Sequence, residues 1–181
     1  MIEALLLALA LAMDAFAVAL TQGAKFRPSL RGGLAIALTF GIFQAVMPLA
    51  GWAFGMVALA YVEAVDHWIA FGLLTFLGAR MLGGHVGDEE ASRALTGRTL
   101  LLAGLATSID ALAAGITLPA LGVPPLLAVA LIGGVTALMS GAGVLLGRRA
   151  GEHLGEWAER AGGLILIGLG VKILAEHSGW I

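Results

Sequence analysis

The chain contains no cysteine. Disulfides, thiolate metal sites and cysteine nucleophiles are therefore excluded. It contains no asparagine either, and only two glutamines, Gln22 and Gln44. Charge is scarce: 12% of the 181 residues are Asp, Glu, Lys or Arg, about half the share usual in a soluble domain. Ten Lys and Arg face twelve Asp and Glu, so the basic excess that nucleic-acid binding requires is missing. What the chain has instead is apolar. Hydrophobic residues make up 60% of it, more than a water-soluble globule of this size can bury and too many for a disordered chain. The 27 glycines are spread through the apolar stretches rather than gathered in a linker, as in closely packed membrane helices. The class is an integral membrane protein.

A hydrocarbon core about 30 Å thick takes roughly 20 apolar residues per helix. Six stretches meet that length, at about 2–23, 32–61, 67–84, 99–118, 125–147 and 159–175. The second contains Pro48, where a kink or tilt is expected. The sixth has the shortest apolar run and follows the polar stretch from Glu152 to Arg160. The first is not a cleavable signal, since it begins with Glu3 and no basic residue. The loops after the first, third and fifth spans, with their helix ends, hold Lys25, Arg27, Arg31, Arg80, Arg93, Arg98, Arg148, Arg149 and Arg160; the other side holds only Lys172. Basic residues collect on the cytoplasmic side. Both termini are therefore expected outside and these three loops inside.

The two halves repeat. Leu9 to Ala17, with Asp14, matches Leu105 to Ala113, with Asp110, at an offset of 96. Gly41 to Gly55 matches Gly133 to Gly147 at an offset of 92, as does Leu77 to Leu82 with Leu169 to Leu174, pairing Arg80 with Lys172. Each half holds three spans, and an odd number inverts the second half relative to the first. The predicted fold is all-α: a polytopic membrane protein of six transmembrane helices arranged as two inverted three-helix repeats. The chain is one transporter domain over 1–181, with repeat one about 1–84 and repeat two about 99–177. Such repeats serve secondary transporters that bind cargo near the midplane.

Asp14 and Asp110 lie near the middle of the first and fourth spans. A carboxylate at that depth costs roughly 2.5–3.5 kcal/mol on insertion scales, so the pair is expected to face the interior and to bind something. Locking the helices together as a protonated pair is the structural alternative. Small residues flank each aspartate alike: Ala10 and Ala17, Ala106 and Ala113. The first and fourth spans are expected to cross near the centre, with both carboxylates in one cavity. Other polar groups within the spans are Thr39, Gln44, Thr75, Thr107, Ser108, Thr136 and Ser140. Hydroxyl and amide oxygens suit a hard cation beside carboxylates, although membrane Ser and Thr commonly bond their own i−4 carbonyl. Gln44 is favoured, because Pro48 has no N–H and so frees the Gln44 carbonyl. The candidate metal ligands are Asp14, Asp110, Gln44, Thr107, Ser108 and Thr136. No span interior holds His or Cys, which argues against zinc or copper. Gly51-xxx-Gly55 and Gly143-xxx-Gly147 read as helix-packing faces, through which the chain could form a homo-oligomer. The run Asp88-Glu89-Glu90 near His85 reads as a solvated charge cluster.

Met13-Asp14-Ala15-Phe16-Ala17, Pro48-Leu-Ala-Gly51-Trp52, His67-Trp68-Ile-Ala-Phe, Leu77-Gly-Ala-Arg80-Met81 and Ala106-Thr107-Ser108-Ile-Asp110-Ala111 together resemble the bacterial manganese efflux pump (MntP) family over nearly the whole chain. The resemblance implies a six-helix inner-membrane exporter of Mn²⁺ within the lysine-exporter-type superfamily. Asp14 and Asp110 match that family's intramembrane acidic pair. Gln44 stands where some members carry Glu, leaving this site one carboxylate poorer. The ion is then cargo, no resident cofactor is implied, and a proton is the expected counter-ion. The residues alone stop at a small-cation transporter. Export of cadmium, another cation or an amino acid stays open, as does an intramembrane aspartyl protease built on the two aspartates. Against the protease, Asp110 lacks the preceding Gly-x-Gly of such enzymes.

Overall fold

A computed structural model of the chain describes residues 2–59, 66–82 and 94–150, together with eight positions between 160 and 175. The described residues are helical or irregular, with no strand among them. The helices are α1 (Ile2–Phe26), α2 (Leu30–Leu59), α3 (Asp66–Leu82), α4 (Arg98–Ala106), α5 (Ile109–Gly115) and α6 (Pro125–Ala150), with a 3₁₀ turn at Leu118–Leu121 before α6. Among them α1, α2 and α6 are long and apolar enough to cross a membrane. Most of the expected sixth span lies outside the described residues, as do the run around Asp88 and the side chains of Arg80 and Lys172.

Local chemistry sets the boundaries. α1 is built of strong helix formers, Ala and Leu, with Glu3 in its first turn and Lys25 in its last to complement the helix dipole. The chain reverses through Arg27, at φ 44°, and Pro28. Ser29 then starts α2 by accepting the Gly32 N–H on its Oγ at 3.2 Å. α2 continues through Pro48 to Leu59.

The expected span at 99–118 is not one helix. It stops at Ala106 and restarts at Ile109. Thr107 Oγ1 donates to Ala103 O at 2.9 Å and Ser108 Oγ to Gly104 O at 2.7 Å. Consecutive back-bonding of this kind bends a helix, and Ser108 sits at φ −113°, ψ 5°, outside helical values. The segment is therefore a discontinuous helix, the form in which transporter spans commonly reach their cargo.

Burial is inverted relative to a water-soluble protein. Asp14, Gln44, Thr136 and Ser140 are buried, while Leu30, Leu34, Leu38, Ile42 and Val46 form an exposed stripe down α2 and Leu138 stands out from α6. Apolar surface exposed in water costs about 25 cal/mol per Å²; in lipid it costs nothing. This is a multi-pass membrane protein.

The most extensive helix contacts fall on pairs other than the first and fourth spans. α1 packs most extensively along α6, and α5 packs along α2. Glycines carry both contacts. Gly143 and Gly147 press α6 onto the backbone of Phe16 and Leu20, and Gly51 and Gly55 press α2 onto Leu112 and Ile116. α2 and α6 cross at Gly41 and Gly133. A Cβ on either would lie 2.8 Å from the other's carbonyl oxygen and within 2.8 Å of an alanine Cβ, Ala137 or Ala45. Because α1 is apolar on nearly every face, periodicity alone cannot say which face meets which helix.

Candidate functional site

Two apolar clusters enclose a polar layer. One joins Leu7 and Leu11 of α1 to Leu74 and Leu77 of α3, Ala111 and Ala114 of α5, and Ile132 of α6. The other joins Ala15 and Val18 of α1 to Ile36 and Phe40 of α2, Leu100 and Ala103 of α4, and Val144 of α6. Along each helix the polar residues fall between the two: Asp14 on α1, Gln44 on α2, Thr107, Ser108 and Asp110 at the α4–α5 break, Thr136 and Ser140 on α6. All are buried, Asp110 being the most exposed at 9%. Polar groups in such a place need partners, and their arrangement shows what each can offer.

The carboxylates share one geometry. Asp14 Oδ1 accepts the N–H of Ala15 at 2.6 Å, and Asp110 Oδ1 accepts that of Ala111 at 2.7 Å. Gln44 ties the two segments together. Its Nε2 donates to Leu11 O at 2.7 Å and to Thr107 O at 3.4 Å. With the amide nitrogen engaged, Oε1 is left without a partner among the described residues. Gln44 thus holds the α1 and α4–α5 segments at one point on α2.

The other candidates divide. Thr107 and Ser108 give their hydroxyl protons to i−4 carbonyls, the ordinary structural use. Thr136 Oγ1 and Ser140 Oγ are buried without a partner among the described residues, although both sit inside α6, where back-bonding is open to them. Ser140 was not among the expected ligands. Its spacing of four from Thr136, which places both on one helix face, is the sequence signal that points to it. No group of three or more His, Cys, Asp or Glu side chains occurs among the described residues. A cation in this layer would therefore take two carboxylates and neutral oxygens. Those are hard donors, suited to Mg²⁺, Ca²⁺ or Mn²⁺ rather than to a thiophilic ion.

Comparison with known proteins resolves the class. Residues 27–174 match the family model described as "Putative manganese efflux pump". The chain belongs to the MntP manganese efflux pump family. A protein of Wolinella succinogenes named "Putative manganese efflux pump MntP 1" is 51% identical over 179 residues, covering 98% of each chain. The MntP of Saccharophagus degradans is 50% identical over 178 residues, covering 97% of this chain and 98% of that one. The MntP of Methanosarcina mazei is 49% identical over 179 residues, covering 97% of this chain and 96% of that one. No solved structure matches.

Proposed function

We propose that this protein exports Mn²⁺ from the cytoplasm across the bacterial inner membrane, with the ion held in the buried layer by Asp14 and Asp110, and that protons moving inward replace it there. The observation that carries the reading is the matched pair of buried carboxylates joined through Gln44, in a chain of the MntP family. Two carboxylates neutralise a divalent cation. Gln44 Oε1 and Thr136 Oγ1 are suited to complete its shell, with Thr107 and Ser108 as carbonyl or hydroxyl donors at the helix break. An empty carboxylate pair in a low-dielectric layer is self-repelling, and bound protons relieve that repulsion. Cargo and counter-ion then compete for the same oxygens.

An inverted repeat supports alternating access. The packing contacts obey the sequence offsets. Phe16 and Leu20 against Gly143 and Gly147 correspond to Leu112 and Ile116 against Gly51 and Gly55. Leu11 O and Thr107 O, the two acceptors of Gln44, correspond in the same way. Two apolar clusters flanking one polar layer are what a carrier that opens to one side at a time needs. The nine-to-one basic split orients the chain with both termini outside.

The test is Mn²⁺ accumulation in a manganese-sensitive bacterium lacking its own exporter. Expression of this chain should lower cell-associated Mn²⁺ and restore growth. Asp14→Asn and Asp110→Asn, near-isosteric and neutral, should reach the membrane in normal amount and do neither. Relief of cadmium but not manganese toxicity would move the assignment to another cation.

A further inference from the structure

Gln44 hydrogen-bonds both carboxylate-bearing segments, and it does so at corresponding atoms. Leu11 O lies three residues before Asp14, and Thr107 O three residues before Asp110. On α1, residues i and i+3 share a face, and at the break the Thr107 carbonyl lies two residues before α5, which carries Asp110 in its first turn. A donor that captures the carbonyl at i therefore fixes which way the side chain at i+3 is presented. The amide Nε2 has two hydrogens, one for each carbonyl. The glutamine itself cannot swing: it is 0% exposed and lies one turn from the α2–α6 crossing, where Gly41 and Gly133 bring the backbones too close to admit a Cβ. Its counterpart in the second half, Thr136, is shorter, and its Oγ1 finds no partner among the described residues.

We infer that Gln44 is a positioning residue: by donating one amide hydrogen to Leu11 O and the other to Thr107 O, it sets the orientation of Asp14 and Asp110 together. This rests on the reading that these two carboxylates hold the ion. It adds that removing one neutral side chain on a third helix displaces both. Groups that orient metal ligands typically contribute 10- to 100-fold in affinity.

The experiment uses the full-length protein in lipid nanodiscs with Mn²⁺ alone as the probe. Gln44→Met keeps the length and removes the donor. It should weaken Mn²⁺ binding roughly 10- to 100-fold with unchanged elution and helix content. Combined with Asp14→Glu, and separately with Asp110→Glu, the loss should fall well short of the product of the single losses, because a carboxylate no longer held in place loses little by being lengthened. A second readout is spectroscopic. Thr107-Ser108 is the only Thr-Ser pair in the chain, so ¹³C′-Thr, ¹⁵N-Ser labelling isolates the Thr107 carbonyl. Its resonance in metal-free protein should move in Gln44→Met and hold still in Thr136→Val. Gln44→Asn, which falls about one carbon–carbon bond short, should reproduce both effects and serves if the methionine variant does not fold. Losses that multiply with both aspartate variants, or a Thr107 resonance that does not move, would overturn the inference while leaving the carboxylate site standing. Wild-type Mn²⁺ binding by Asp14→Asn would instead remove the site on which the inference rests.

Discussion

A single methyl group at Gly41 should disable transport without touching any proposed ligand. Its Cβ would lie 2.7 Å from Ala137 Cβ and 2.8 Å from Gly133 O. Ordinary carbon contacts lie at about 3.5–4.0 Å, so α2 and α6 must part by about 1 Å. Overpacking of this kind costs roughly 1–3 kcal/mol. Gln44, one turn along α2, has no slack. Its bond to Thr107 O is already 3.4 Å and that to Leu11 O is 2.7 Å. A shift of about 1 Å breaks the first and stretches the second beyond hydrogen-bonding range, adding about 1 kcal/mol for each bond lost. Gly41→Ala should therefore lower thermal stability and reduce Mn²⁺ export at least tenfold at equal protein in the membrane. Gly134→Ala is the control: a Cβ there meets nothing within 4 Å, and both properties should hold. Wild-type export by Gly41→Ala would show that the α2–α6 crossing does not position the site.

Gly133→Ala should behave like Gly41→Ala, because its Cβ would lie 2.8 Å from Ala45 Cβ and 2.8 Å from Gly41 O; matched losses in resistance assays check the equivalence of the two halves. Thr136→Val removes one neutral oxygen at nearly constant volume and should raise the Mn²⁺ concentration for half-maximal transport several-fold with little change in maximal rate, read in a vesicle flux assay. Mn²⁺ binding in weak buffer near neutral pH should release protons, and calorimetry in buffers of different ionisation enthalpy should find that release smaller in Asp110→Asn. Cysteine placed at Thr96 in this cysteine-free chain should resist an impermeant maleimide in intact cells, while cysteine at Pro124 should react; the reverse pattern would invert the topology.

Much of this organisation was legible in the residues. α1 and α6 fall where apolar length placed them, and the aspartates are buried as their cost at the midplane requires. The paired Gly-xxx-Gly motifs do mark packing faces, but they could not name the partner. Those on α2 meet α5 and those on α6 meet α1, a choice made by backbone fit that hydropathy does not encode. The break at Thr107-Ser108 was hidden because apolar residues continue on both sides of it; two adjacent hydroxyl residues were its only trace. Gln44 was read as an oxygen donor to metal. Its use as a hydrogen donor to two distant carbonyls depends on how three segments converge, which no local pattern records.

The central claim is that Asp14 and Asp110 carry Mn²⁺ through this protein. Flux into proteoliposomes holding the purified chain, driven by an outward proton gradient and read by a Mn²⁺-quenched internal dye, tests it without the cell. The account predicts uptake by the unaltered protein, faster as the gradient steepens, and none above empty liposomes for Asp14→Asn or Asp110→Asn. Uptake by either variant at the unaltered rate would contradict it.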